Sequence, residues 1–117
     1  MKRMRFVTAA AVLTFAVGAH AHTHLKMSMP ADNAVLETPP AEIMLHFSEP
    51  TRVTALAIQK DGDNEQQAIS VLPKEKSAAL TVPLVALSPG RYTVNWRAVG
   101  GDNHVMSGVL HFTVEAK

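Results

Sequence analysis

The chain has 117 residues, 47% of them hydrophobic and 18% charged, with 11 basic residues against 10 acidic ones and a formal net charge of +1. That length suits one domain with one modest core. No basic patch with interleaved aromatics occurs, which argues against nucleic acid as a partner, and the absence of cysteine leaves only nitrogen, oxygen and thioether donors for any metal.

Residues 1–21 have the character of a secretory signal peptide. Lys2, Arg3 and Arg5 supply a positive start, and Phe6 to Val17 form an apolar run of about 12 residues, short of the roughly 20 that span a bilayer. Ala19 and Ala21 then occupy the −3 and −1 positions of a cleavage site, so that His22 becomes the first residue of a mature domain over 22–117. Val17 and Ala19 satisfy the same rule, and that cut would expose His20 instead. No second apolar run follows, so the mature chain is expected to be exported and not membrane-spanning. Without the three leader cations, eight basic residues face 10 acidic ones, and the working protein is slightly acidic.

Beyond the leader the pattern has period two, with no convincing helical period. A short strand is expected at Leu25 to Met29. In Ala41 to Ser48, Ile43, Leu45 and Phe47 alternate with Met44, His46 and Ser48, the mark of a half-buried strand. Val53 to Gln59 follows, closed by the turn signal Asp61-Gly62-Asp63-Asn64. Gln67 to Leu72 and Ala78 to Val82 come next, separated by a solvated loop at Pro73-Lys74-Glu75-Lys76. Pro89-Gly90 turns the chain into Arg91 to Val99, where Tyr92, Val94 and Trp96 alternate with Thr93, Asn95 and Arg97. Leu87 to Tyr92 resembles the corner that sets a Tyr at the start of a late sandwich strand. Val109 to Glu115 is the last strand. About seven strands at turn spacing predict an all-β, Greek-key sandwich, with Pro30, Pro39, Pro40 and Pro50 between segments where they cost no ladder bonds.

Two short stretches carry the chemistry. A terminal His22 offers its α-amine and its own Nδ1 as one chelate, and the amine's ordinary pKa near 8 lets a metal displace its proton easily. Asp102-Asn103-His104 adds a carboxylate and an imidazole two residues apart, able to face the same way in extended chain. Three nitrogens and one oxygen suit copper(II), which favours tetragonal nitrogen and oxygen ligation. The same residues also fit a plainer role, since Gly100-Gly101-Asp102-Asn103 is ordinary turn chemistry in which Asp102 bonds its own backbone. His24 competes, because a free terminus with His at position three binds copper(II) through the amine, two deprotonated amides and the ring; its other reading is as a weaker ligand added to the folded site. Glu49, at a strand end, is placed near the Asp102 loop either as a solvated carboxylate or as a support to a ligand. His46 and His111 alternate with apolar residues and are expected to face outward.

His22-x-His24-Leu25, Pro30-Ala31, Leu45-His46-Phe47-Ser48-Glu49, the run Pro89-Gly90-x-Tyr92-x-Val94-x-Trp96-Arg97-Ala98-Val99, Asp102-x-His104 and Gly108 together resemble the CopC/YobA family of periplasmic copper-binding proteins. The likeness covers essentially the whole mature chain. It implies an Ig-like, cupredoxin-like β-sandwich or barrel. It also implies a copper(II) site of His22, Asp102 and His104 with Glu49 close by, and delivery to an inner-membrane partner of the CopD type. Members that also bind copper(I) carry a methionine-rich loop in mid-chain, because thioethers select the reduced ion. Here no Met lies between Ser48 and Val105, and Met27, Met29, Met44 and Met106 are scattered, with Met27 and Met29 expected to serve packing. The chain therefore resembles the copper(II)-only branch.

These features favour a protein that buffers or carries copper(II) and is not an enzyme. A histidine-brace oxidase would need an open equatorial position, which Asp102 would fill, and an aromatic surface, which Phe47, Tyr92, Trp96 and Phe112 are too few and too core-facing to supply. A third class is an Ig-like interaction module with an incidental His terminus.

Overall fold

Alternation becomes seven strands and no helix in the computed structural model, which describes residues 23–116. The strands are β1 (Leu25–Met29), β2 (Ala34–Leu36), β3 (Glu42–Lys60), β4 (Gln67–Ala68), β5 (Ser77–Pro83), β6 (Gly90–Val99) and β7 (Val105–Val114). The leader and His22 lie outside the described residues.

The 19-residue β3 organises the fold. Its first half pairs with β1 on one side and β5 on the other, both antiparallel. Its second half pairs with β6 and with the two-residue β4, and the sheet continues through β7 to β2, which runs parallel to β7. One strand thus serves two layers, curling the sheet around the core. The inward residues change parity along β3: Ile43, Leu45, Phe47 and Val53 are buried, then Leu56 and Ile58. A register shift between Val53 and Ala55 accounts for the change, because one extra residue flips every later side chain to the other face. Phe47 of the first layer meets Trp96 of the second edge to face, with ring centroids 5.5 Å apart, and Tyr92 stacks on Phe112 at 5.3 Å.

The expected class holds: the fold is an all-β curled sandwich of seven strands. Its parts differ from the expected ones. Ala41 to Ser48 and Val53 to Gln59 are one strand, and Pro50 sits inside it rather than between segments. The bend survives Pro50 because the β3–β5 ladder is already interrupted between His46 and Thr51. Gln67 to Leu72 shrinks to Gln67–Ala68, and the last strand begins at Val105, not Val109. Ala34–Leu36 was not anticipated, since three residues are too few for alternation to register. The Tyr corner is present: Tyr92 donates to the Ser88 carbonyl at 2.6 Å. The methionines depart most from expectation. Met27 and Met29 do not pack in the core; they are 48% and 56% exposed on the outer face of β1.

Candidate metal centre

The hairpin joining β6 to β7 carries Asp102 and His104. Asn103 N–H donates to the Gly100 carbonyl at 3.0 Å, and Gly100 N–H donates to the His104 carbonyl at 3.0 Å. Asn103 adopts φ 66°, in the left-handed region that Asn tolerates better than most residues. The loop is a tight turn followed by one left-handed residue, a common hairpin connection.

Within it, the two side chains meet. Asp102 Oδ1 accepts the His104 backbone N–H at 3.1 Å, and Oδ2 lies 2.9 Å from His104 Nδ1. The plain turn reading is therefore correct as far as it goes, and it also builds the pair. The His104 side chain is 76% exposed. Its hydrogen bond is the largest influence holding the Asp102 carboxyl below its ordinary value of 3.8.

Two further segments come to this loop. Thr23, 8% exposed, donates from Oγ1 to Glu49 Oε1 at 3.1 Å and accepts the Gly101 N–H at 3.3 Å. The glycines make the approach possible. A Cβ on Gly100 would stand 2.9 Å from both Thr23 Cβ and Oγ1, and one on Gly101 would stand 2.9 Å from Glu49 Oε1. His24 is fixed just beyond: its N–H donates to Ser48 Oγ at 2.9 Å, and Ser48 N–H donates to the His24 carbonyl at 2.8 Å.

The structure thus brings Asp102, His104 and Glu49 to one end of the molecule, with His24 on the adjoining segment. His22 falls outside the described residues. Among those that are described, no three His, Asp or Glu side chains form a metal-holding group. His46 lies on the outer face of β3, and His111 is joined to Asp32 through Nδ1 at 3.3 Å. Sequence reasoning missed Thr23 and Ser48. Their roles are hydrogen bonds between chain segments 26 and 24 residues apart, which no local pattern announces.

Comparison with known proteins identifies the family and the fold. Residues 25–115 match the family model described as the CopC domain. Protein YobA from Escherichia coli (strain K12) is 36% identical over 102 residues, covering 83% of this chain and 80% of the relative. Copper resistance protein C from Escherichia coli is 33% identical over 120 residues, covering 93% and 94%. The crystal structure of CopC from Methylosinus trichosporium OB3b superposes with a TM-score of 0.68 at 22% identity, over 80% of this chain and 94% of that one, a likeness of fold.

Proposed function

The chain belongs to the CopC domain family, and from that premise we propose that it is a periplasmic copper(II)-binding protein that buffers or carries the ion for copper resistance. The observation carrying this reading is the assembly at the hairpin tip. An exposed imidazole paired to a carboxylate stands beside Thr23, whose two hydrogen bonds anchor the chain one residue after His22. Adjacent Cα atoms lie about 3.8 Å apart, so the anchor restricts where the His22 amine and ring can reach. In this reading His22 supplies two nitrogens, His104 the third and Asp102 the oxygen, while Glu49 holds the Thr23 hydroxyl.

The rival mode, in which the terminal tripeptide binds copper(II) alone, requires the His24 amide nitrogen as a ligand. That N–H is engaged with Ser48, and the neighbouring Thr23 is buried, so the mode would have to undo this docking. A carrier without redox turnover also suits the aromatics. Phe47, Tyr92, Trp96 and Phe112 are all buried, leaving no aromatic platform for a polysaccharide among the described residues. Delivery to an inner-membrane transporter of the CopD type completes the proposal.

Electron paramagnetic resonance of the copper(II) form, on protein whose first residue is verified by mass spectrometry as His22, tests it. We expect a pattern of three nitrogens and one oxygen, lost when one residue is added ahead of His22. Retained affinity and an unchanged spectrum in the extended protein would sink the chelate.

A further inference from the structure

Three of the four methionines beyond position 22 are brought together by strand register, although they are spread over 18 positions of sequence. Met27 of β1 lies opposite His46 of β3, and Met29 opposite Met44. Ser28 and Leu45, the pair between them, are buried at 7% and 0%, which puts the four flanking side chains on the outer face. Directly opposed residues have Cβ atoms about 4.5–5.5 Å apart, and diagonal neighbours about 7–8 Å. Methionine has three rotatable side-chain bonds, so thioethers starting from these corners can converge above the sheet. On the far side of β3 the residues opposite His46 and Met44 are Ala79 and Thr81, small enough to leave that space open.

Among the described residues this face is open to solvent. Met27 and Met29 are about half exposed, and Met44 and His46 are half-buried. Among the described residues no hydrogen bond or ion pair engages the His46 ring. Met29 and Met44 also border an open groove of about 330 Å³ with Pro30, Leu36 and Glu42. Met106, by contrast, packs against the core.

We propose that this face is a second metal site, for a soft monovalent ion, copper(I) or silver(I), held by the thioethers of Met27, Met29 and Met44 and the imidazole of His46. Thioether sulfur is a soft donor that selects copper(I), and imidazole accepts it as well. All four donors are neutral, so they offset little of the charge of a divalent ion, and no thiol is present to compete. The site shares no residue with the hairpin tip and lies on strands, not in a mid-chain loop. It does not depend on the copper(II) reading.

The test is a silver(I) titration of protein carrying labelled methionine methyl groups, followed by NMR, with copper(I) affinity measured under argon against a chromogenic chelator. The methyl signals of Met27, Met29 and Met44 should shift together and saturate at one equivalent while Met106 stays in place. Replacing all three by Leu, a volume-conserving change at outward positions, should keep the circular dichroism spectrum and weaken copper(I) binding by more than the roughly 10–100-fold typical of losing a supporting contact. His46→Ala removes one donor and should weaken it by about 100-fold, at the upper limit for a supporting contact. His104→Ala should leave the methyl shifts unchanged, which separates this site from the hairpin tip. Unaltered copper(I) affinity in the triple variant would overturn the proposal. So would Met106 shifting in step, or silver(I) binding that disappears with His104. Shifts that follow protein concentration without metal would make the face a self-association surface instead.

Discussion

Two Asp–His pairs occur among the described residues, and they differ in everything except chemistry. Asp102 and His104 are two residues apart at a hairpin tip, and each carboxylate oxygen takes its own donor from His104. Asp32 and His111 are 79 residues apart, and a single oxygen, Oδ1, takes both the His111 backbone N–H at 2.8 Å and Nδ1 at 3.3 Å. Asn33 N–H adds a bond of 2.6 Å to the His111 carbonyl. The second pair thus stitches the loop before β2 to β7, holding a three-residue parallel edge strand in place. Its ring is 34% exposed, against 76% for His104. A carboxylate beside an imidazole is therefore not in itself a metal centre. Ring access and the segments that arrive alongside make the difference, and only the hairpin tip has Thr23 and Glu49 against its backbone.

The largest effect should come from exchanging the two histidines for alanine. His104→Ala removes a proposed ligand and should lower copper(II) affinity by more than about 100-fold, beyond what loss of a supporting contact costs. His111→Ala should leave affinity within about twofold, because the change is remote from the tip, while loosening the β2 edge by roughly 1 kcal/mol for one lost hydrogen bond. Isothermal titration with copper(II) and urea unfolding of both variants would read the two effects separately. Comparable losses of affinity in both would erase the distinction between the pairs.

That distinction was only half legible in the sequence. Asp102-x-His104 stands out because its two donors are adjacent and sit between recognisable strands. The fold class was legible for the same reason: Ile43-Leu45-Phe47 and Tyr92-Val94-Trp96 each declare a buried face locally, and all six are buried. Long-range placement was not. The break in the β3–β5 ladder between His46 and Thr51 accommodates Pro50, and the shift between Val53 and Ala55 changes which residues face inward, so one strand reads in sequence as two. The pairing of Met27 with His46 and Met29 with Met44 depends on register between strands, so methionines that seem scattered in sequence are neighbours in space. Thr23 lacks any pattern of its own, and its burial follows from the glycines that admit it.

Thr23 therefore offers the next test, of whether the arriving segment distinguishes the tip. Thr23→Val keeps the shape and deletes the hydroxyl, leaving Glu49 and the Gly101 N–H without that partner. Stability should fall by about 1–2 kcal/mol for two hydrogen bonds. Copper(II) affinity should fall by about tenfold as the first residue loses its anchor, the scale expected for a supporting contact. Gly100→Ala should act in the same direction, since its Cβ would press on Thr23 at 2.9 Å. Affinity unchanged in both variants, by the same titration, would show that Thr23 does not position the terminus.

The smallest effect, and the one that separates the pairs without any metal, is on the carboxyl groups. Both Asp102 and Asp32 are held below 3.8, but for different leading reasons. The His104 side chain is the first cause for Asp102, whereas the His111 backbone N–H is the first cause for Asp32. A carboxyl lowered in the folded state binds its proton more weakly there than in the unfolded chain. Its contribution to stability is present above 3.8 and disappears as pH falls through that value towards the lower folded one. Alanine at 104 strips the leading cause, so Asp102 should titrate closer to 3.8, with the residue 104 backbone donor still lowering it. Alanine at 111 leaves the leading backbone donor in place, so Asp32 should remain below 3.8. Carbon-detected NMR titration of the copper-free variants from about pH 6 to about pH 2 would follow both groups across the carboxylate range. An equal rebound at the two sites would mean that the side chains, not the backbone, dominate both pairs, and the structural contrast between them would lose its electrostatic basis.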